Sequence, residues 1–395
     1  MKPLIHHYRP ILVFFCISIL FCACVRKTEH PYRPTITSYS PASAGLGDTV
    51  TVYGSHLPTD TANMRLTINN KVVPIILATS DSIKFYISQT LGSGQVVLSY
   101  AGLVFYGPVF EYDYEAVVTT VAGTGAVGRA DGPGGQASFY NPWGIVADLN
   151  GDLYIAENYN RLIRKISAAD GTVSSIPITP LNFYSPYNIA LDTRTHNLYL
   201  TDFNQHVMKV HPDGTEYVIN DQYTTSTGIG LGPDSYLYIS DNIAGNISRI
   251  DTNGQNYSVV VPGINTPRNI IFDGSGNLYT PAYTSLSVIY KVTPAGTSSI
   301  VAQDKDFNGW EIARDTAGNF YDADHFSNTI RKIDRQGNVK TIAGSGLAAD
   351  IDGIGLNASF NGPMGMTIDV NGNLFVTTFN FTDNSGNKVR KISFR

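Results

Sequence analysis

One phrase occurs six times in this chain of 395 residues, and this repetition restricts the possible folds more than any other feature. In the first copy, an apolar segment at 141–148 leads through the Asn150-Gly151 turn to Leu-Tyr-Ile at 153–155. The segment Leu-Ile-Arg-Lys-Ile then follows at 162–166. Alternating apolar residues bounded by such turns predict short antiparallel strands joined by hairpins. One small sheet of this kind cannot bury both of its faces, so the copies must pack on one another.

The copies lie mostly about 40–45 residues apart, which is the period of a four-stranded propeller blade. The sixth copy reaches Arg395 after its third strand, whereas an unassigned strand at 117–122 precedes the first copy. That strand matches the fourth strand of the fifth copy, at 339–343, and it would remove the open sheet edge of the last blade. The sequence therefore predicts an all-β chain with a six-bladed β-propeller over 115–395, closed by strand 117–122.

The blade phrase, with its Asn-Gly-Asn-Leu-type and Ile-Arg-Lys-Ile segments, resembles the NHL-repeat family. The resemblance implies a six-bladed propeller that binds ligands at one mouth of the ring. It does not imply one activity, because relatives include protein-binding and RNA-binding modules, and similar propellers are lyases and lactonases.

The N-terminal residues 1–23 have the pattern of a secretory signal, with Lys2 and Arg9 before an apolar run at 11–21. Because this run is followed by Ala23-Cys24, the segment resembles a bacterial lipoprotein signal, which implies that Cys24 becomes the lipidated first residue. All three cysteines lie within residues 16–24, and cleavage before Cys24 would leave only one, so no internal disulfide is expected. An ordinary signal peptide or a short anchor is the alternative. Residues 24–34 are polar with two prolines and are interpreted as a tether.

Residues 35–114 contain about seven short strands separated by polar turns, which is typical of a β-sandwich. The opening, with Ser40-Pro41 and Gly-Asp-Thr-Val-Thr-Val at 47–52, resembles the IPT/TIG family of immunoglobulin-like domains. The resemblance implies a spacer or an adhesion module, and no catalytic constellation is found here.

The composition argues against nucleic acid as a partner. Charged residues make up only 15% of the chain, its formal net charge is −5, and no basic stripe is present. Binding to nucleic acid depends on clustered lysine and arginine side chains against phosphates. The 24 tyrosines and 18 phenylalanines instead suit an exported β protein with aromatic surfaces.

Candidate ligand-binding residues lie in the loops that enter each first strand or leave each second strand, which should share one mouth. Aromatic faces pack on the apolar faces of sugars and also anchor protein interfaces. The predicted binding residues are Trp143, Tyr159, Tyr187, Arg268, Tyr283, Trp310 and His325. The alternative is that these aromatic residues are wedged between blades as core.

A deeper ring of positions begins each first strand beside the central channel. Asn188, Asn269 and Glu311 are candidate metal ligands there, and calcium is the ion that such oxygen ligands would suit. This arrangement resembles the general design of gluconolactonase-type propellers. A water-filled channel with polar lining is the alternative, and no other cofactor is expected. The three-histidine site of a zinc lyase is absent from the sequence pattern.

These features together predict an exported outer-membrane lipoprotein, anchored to the membrane through Cys24. Its propeller would bind a glycan or a protein at the mouth, and its sandwich would be a spacer. The competing hypothesis is an enzyme, a lactonase-like or lyase-like propeller that uses Glu311 with a metal.

Overall fold

The computed structural model describes residues 33–41, 43–45, 47–88, 91–178, 184–223, 225–283, 286–305, 307 and 310–395. The predicted signal sequence, most of the tether and Cys24 lie outside these residues. Among the described residues, the elements are β-strands and one short 3-10 helix, Gly355–Asn357. The predicted all-β fold is confirmed. No helix in the described part of the chain is long and apolar enough to cross a bilayer. The chain consists of two compact units, and the boundary along the sequence falls between Tyr112 and Asp113.

The first unit is an immunoglobulin-like sandwich of two sheets. One sheet has the strand order Thr35–Ser40, Thr49–Ser55, Ser82–Tyr86 and Ile75–Ala78. The other has the order Ser43–Ala44, Leu103–Tyr112, Gly94–Tyr100, Met64–Ile68 and Lys71–Val72. Alternate residues of these strands face inward, and the inward set forms one apolar core that includes Val50, Phe85, Leu66 and Phe110.

The described part of the second unit forms six sheets of antiparallel strands. Five sheets contain four consecutive strands in a meander, and the sixth combines three consecutive strands with one strand from the start of the unit. Sheet 1 consists of Pro142–Ala147, Leu153–Glu157, Leu162–Ile166 and Thr172–Ser175, with the short strand Gly132–Pro133 at its outer edge. Sheet 2 consists of Pro186–Leu191, Leu198–Asp202, Val207–Val210 and Glu216–Asn220. Sheet 3 consists of Ser226–Leu231, Tyr236–Asp241, Asn246–Asp251 and Ser258–Pro262.

Sheets 4 and 5 repeat this order, and sheet 6 combines the two ends of the unit. Sheet 4 consists of Ile271–Phe272, Leu278–Tyr283, Ser287–Val292 and Ser298–Asp304. Sheet 5 consists of Ile312–Arg314, Phe320–Asp324, Thr329–Ile333 and Val339–Ala343. Sheet 6 consists of Pro363–Ile368, Leu374–Phe379, Gly386–Phe394 and Ala116–Ala122, with Gly353–Ile354 outside them. Val118 lies opposite Ile392 in this pairing, and both side chains are buried.

Successive sheets pack face to face, and this packing buries the apolar faces that a single sheet would leave exposed to solvent. Between sheets 2 and 3, for example, Ala190 and Tyr199 join Ile229 in one apolar cluster. Sheet 6 returns to sheet 1, where the Thr377 hydroxyl donates a 2.8 Å hydrogen bond to the carbonyl oxygen of Trp143. The first strands of the sheets thus surround a central channel, and the loops at one end of it form the candidate site.

Candidate functional site

Two sets of loops meet at one end of the channel, which we call the mouth. One set enters the first strands and the other leaves the second strands. Backbone hydrogen bonds join the two sets in sheet after sheet. The amide of Asn158 donates to the carbonyl of Asn141 at 2.9 Å, and that of Asn242 donates to the carbonyl of Thr225 at 3.1 Å. Side chains that are far apart in the sequence are therefore brought together at the mouth.

Four predicted residues form one stack across the mouth, which we call the central stack: Arg268, Trp310, Trp143 and Tyr187. The guanidinium carbon of Arg268 lies 4.1 Å from the ring centroid of Trp310. The rings of Trp310 and Trp143 have centroids 5.8 Å apart, and those of Trp143 and Tyr187 have centroids 4.1 Å apart. Sheets 4, 5, 1 and 2 contribute these side chains, so the stack exists only in the assembled ring.

Exposure differs within the central stack. Trp143 is only 5% exposed and packs on Met364 and Phe379, so it contributes to the core of the mouth. Trp310, Tyr187 and Arg268 are half-buried. Burial raises the pKa of the Tyr187 hydroxyl, which remains protonated at neutral pH. Burial also lowers the pKa of Arg268, although Tyr187 and Glu311 act in the opposite direction. Arginine keeps its charge in proteins despite such a shift.

The three other predicted binding residues lie around the central stack. His325 is half-buried, with its ring centroid 6.3 Å from that of Trp310. Burial lowers the pKa of His325, so its imidazole is neutral at neutral pH. Tyr159 is exposed and packs edge-on against Tyr140, with centroids 4.7 Å apart. Tyr283 is also exposed, and within the described residues it makes no ring contact with the stack.

A ring of exposed apolar side chains surrounds the stack, and most of its members were not among the predicted binding residues. Each sheet contributes one such residue, at the end of its second strand or within two residues after it. We call this set the apolar rim: Tyr159, Phe203, Ile243, Tyr283, Phe326 and Phe381. Phe326 is 72% exposed and Ile243 is 70% exposed, so these side chains are not core wedges. A residue of this kind after every second strand was the available sequence signal.

The channel contains an open cavity of about 300 Å³, and most of the residues that line it are apolar, including Ile189, Ile229 and Met366. Asn188, Asn269 and Glu311 line this cavity too, and each is only 5% exposed. The Asn188 side-chain amide donates a 2.7 Å hydrogen bond to Oε1 of Glu311. Burial raises the pKa of Glu311 to about 8, against smaller opposing effects of Asn188, Arg268 and Asn269. Glu311 is therefore mostly an uncharged acid at neutral pH.

These three residues do not fit a calcium site as the structure arranges them. Oδ1 of Asn188 accepts from the amide of Ile189 at 2.7 Å, and Oδ1 of Asn269 accepts from the amide of Ile312 at 3.2 Å. Calcium takes six to eight oxygen ligands, usually including several carboxylates. Here Glu311 is the single carboxyl group of the set. No cluster of three or more His, Cys, Asp or Glu residues suited to a metal occurs among the described residues.

Two buried arginines hold the two long loops beside the mouth through ion pairs. Nη1 of Arg164 lies 2.9 Å from Oε2 of Glu157, and Nη2 of Arg164 lies 2.7 Å from Oδ1 of Asp131. Arg390 forms the same pattern in sheet 6, at 2.9 Å from both Asp350 and Asp352. Glu157 ends the second strand of sheet 1 next to the mouth, but its side chain is fully buried against Arg164. Glu157 is thus a structural residue.

The comparisons with known proteins agree with this architecture. Residues 34–112 match the IPT/TIG domain. No curated protein matches the chain significantly in sequence.

Solved structures resemble nearly the whole chain. A protein of unknown function from Bacteroides thetaiotaomicron has a TM-score of 0.62 at 21% identity, covering 92% of this chain and 99% of its own. An auxiliary nutrient binding protein from the same species has a TM-score of 0.57 at 20% identity, covering 92% and 98%. A gluconolactonase from Xanthomonas campestris has a TM-score of 0.50 at 13% identity, covering 66% and 89%. At these identities the likeness shows the fold: an immunoglobulin-like domain with a propeller.

Proposed function

We propose that the protein is a ligand-binding module of the bacterial cell envelope. Its propeller binds a glycan or a protein ligand at the mouth, and its IPT/TIG-like domain is a spacer. The observation that carries this proposal is the central stack with the apolar rim around it. Exposed apolar side chains grouped around one opening mark interaction sites in soluble proteins. The auxiliary nutrient binding proteins of Bacteroides are similar in fold, which supports a binding role in the envelope.

The competing enzyme hypothesis has less support. A lactonase-like or lyase-like reaction at Glu311 with a metal would need several oxygen ligands in the channel, and Glu311 is the single carboxyl group among the three candidate ligands. The similarity to gluconolactonases is a similarity of fold, at 13% sequence identity, and it does not by itself support a shared reaction. A binding module needs only the stack, the rim and the polar groups between them.

The test of the binding role is a glycan-array screen of the mature protein, followed by affinity measurements with Trp310→Ala. Trp310 is half-buried in the centre of the stack, so its loss removes contact area at the mouth. Truncation of an anchor residue costs on the order of 2 kcal/mol or more of binding. We expect at least one glycan to bind, and Trp310→Ala to weaken that binding more than about tenfold. Unchanged affinity in a folded Trp310→Ala protein would place the ligand elsewhere and contradict the proposal.

A further inference from the structure

The Arg268 guanidinium lies in the mouth without a hydrogen-bond acceptor. Among the described residues no group accepts a hydrogen bond from this side chain, and its Nε is buried without a partner. The fully buried Arg164 and Arg390 each bind two carboxylates through their terminal nitrogens, although the Nε of each, like that of Arg314, is also buried without a partner. A guanidinium carries five N–H donors, and buried polar groups in proteins are normally satisfied. The N–H donors of Arg268 that have no acceptor within the protein are therefore available to a ligand that supplies one.

Among the described residues, Arg268 forms no ion pair with a carboxylate. Glu311 acts on it electrostatically, but Oε1 of that carboxyl group accepts a hydrogen bond from Asn188, and Glu311 forms no ion pair with Arg268. Two other acidic groups near the mouth are already engaged. Asp202 contacts His206 at 3.1 Å, and Asp324 contacts Arg331 at 3.4 Å. Arg268 therefore supplies a positive charge that a ligand can use.

Stacking also fixes the orientation of this group. The guanidinium lies over the indole of Trp310, whose ring in turn lies beside Trp143. A planar guanidinium held on an aromatic face loses little freedom when it pairs with a carboxylate, whose two oxygens match its fork of donors. Flat rings beside it suit the apolar faces of a sugar. The positive charge of Arg268 and the aromatic stacking surface thus lie side by side at the mouth.

Resting on the binding role proposed above, we propose that the mouth selects acidic glycans, with Arg268 pairing bidentately with the carboxylate of a uronate residue. Trp310 and the neighbouring rim residue Phe381 would then contact the sugar faces. Phe381 suits this role because its ring centroid lies 5.6 Å from that of Trp143, next to the stack. The selectivity depends on the carboxylate, whereas the stacking is shared with neutral sugars.

The test compares oligogalacturonates and oligoglucuronates with their methyl esters, by calorimetric titration of the full mature protein. Esterification removes the charge and keeps the sugar backbone. We expect at least one acidic oligomer to bind about tenfold or more tightly than its ester, a difference that salt reduces. Arg268→Gln should abolish this preference, and Arg268→Lys should keep part of it because lysine retains charge without the fork.

Arg249→Gln is the matched control, because Arg249 also lies over an aromatic ring, 4.8 Å from the centroid of Tyr236, and pairs with Asp234. It should leave the preference unchanged. Equal binding of acid and ester, no binding of any uronate oligomer, or an unaltered preference in folded Arg268→Gln would each overturn the inference. A peptide that binds through its C-terminal carboxylate, and not in its amidated form, would overturn it too if no uronate bound. Neutral glycans that bind in a Trp310-dependent manner would leave the binding role standing while this inference falls.

Discussion

Trp143 and Trp310 lie in one stack but differ in what surrounds them. Trp143 is 5% exposed and packs against Met364 and Phe379, whereas Trp310 is half-buried beside Arg268. Replacing a buried tryptophan by alanine removes packing and leaves a cavity, at a cost of about 3–5 kcal/mol. Truncation of a half-exposed ring lowers the free energy of unfolding by less than truncation of a buried one. Substitutions at the two residues therefore distinguish the effect of the stack on stability from its effect on ligand binding.

We expect Trp143→Ala to lower the melting temperature by several degrees, since each kcal/mol corresponds to about 2–4 °C in a domain of 150–250 residues. Trp310→Ala should lower it much less and act mainly on ligand affinity. Differential scanning calorimetry of the two variants beside the parent measures the difference. Equal losses of melting temperature would mean that both rings are core wedges.

Glu311 makes the stability of the propeller depend on pH. Its ordinary pKa is 4.5 and burial raises it to about 8 in the folded protein. The unfolded chain therefore loses its proton first as pH rises. The stabilising contribution is fully present below 4.5, declines between 4.5 and about 8, and is constant above that. The decline approaches about 1.4 kcal/mol per pH unit within this window.

Glu311→Gln tests this, because glutamine resembles the protonated acid and does not ionise. Its free energy of unfolding, measured by denaturant titration, should decline less steeply than that of the parent between pH 4.5 and 8. Other groups that titrate are the same in both proteins, so the difference in slope isolates Glu311. Parallel curves would show that Glu311 does not have a raised pKa.

The strand Ala116–Ala122 joins two distant parts of the sequence in sheet 6. It pairs with Gly386–Phe394, and its alternating burial directs Val118 into the core and Thr119 to solvent. Without this strand, the edge of Gly386–Phe394 would offer unpaired backbone groups. A charge on its inward face would be buried without a partner, which costs several kcal/mol.

Val118→Asp should accordingly lower the melting temperature strongly or cause aggregation. Thr119→Asp, the neighbouring residue on the exposed face, should change it little, because exposed substitutions usually stay within about 0.5 kcal/mol. Thermal melting with light scattering measures both effects in parallel. If Val118→Asp melted like Thr119→Asp, the strand would not stabilise the sheet.

At the scale of the whole molecule, the periodicity of the sequence predicts the fold but not the environment of each side chain. The all-β fold could be predicted, because turns and alternating apolar residues reflect backbone geometry that recurs in every copy. The burial of particular side chains could not be predicted from the sequence pattern. Glu157 ends a second strand beside the mouth, and only its burial and its distance to Arg164 show that it is structural. Trp143 and Trp310 occupy similar positions near first strands, yet their exposure depends on the loops around them.

The candidate site was predictable in outline for the same reason. Positions in equivalent registers of a ring approach a common axis, which brings Trp143, Tyr187, Arg268 and Trp310 together. Hydrogen bonding of the channel residues was beyond the sequence pattern. The amide oxygens of Asn188 and Asn269 accept from backbone N–H groups, a pairing that depends on local strand geometry.

The proposed place of the molecule in the cell depends on Cys24, which lies outside the described residues. We expect Cys24→Ser to release the protein from the membrane fraction or to leave its signal segment uncleaved, because a serine has no thiol to receive the lipid. Cys22→Ser is the matched control, since it removes a cysteine two residues earlier and keeps Cys24. That control should be cleaved and remain membrane-bound. Fractionation of cells, with the mass of the mature N-terminus, measures both. Normal cleavage and membrane attachment of the Cys24→Ser protein would contradict lipid anchoring and favour an ordinary signal peptide or a short anchor.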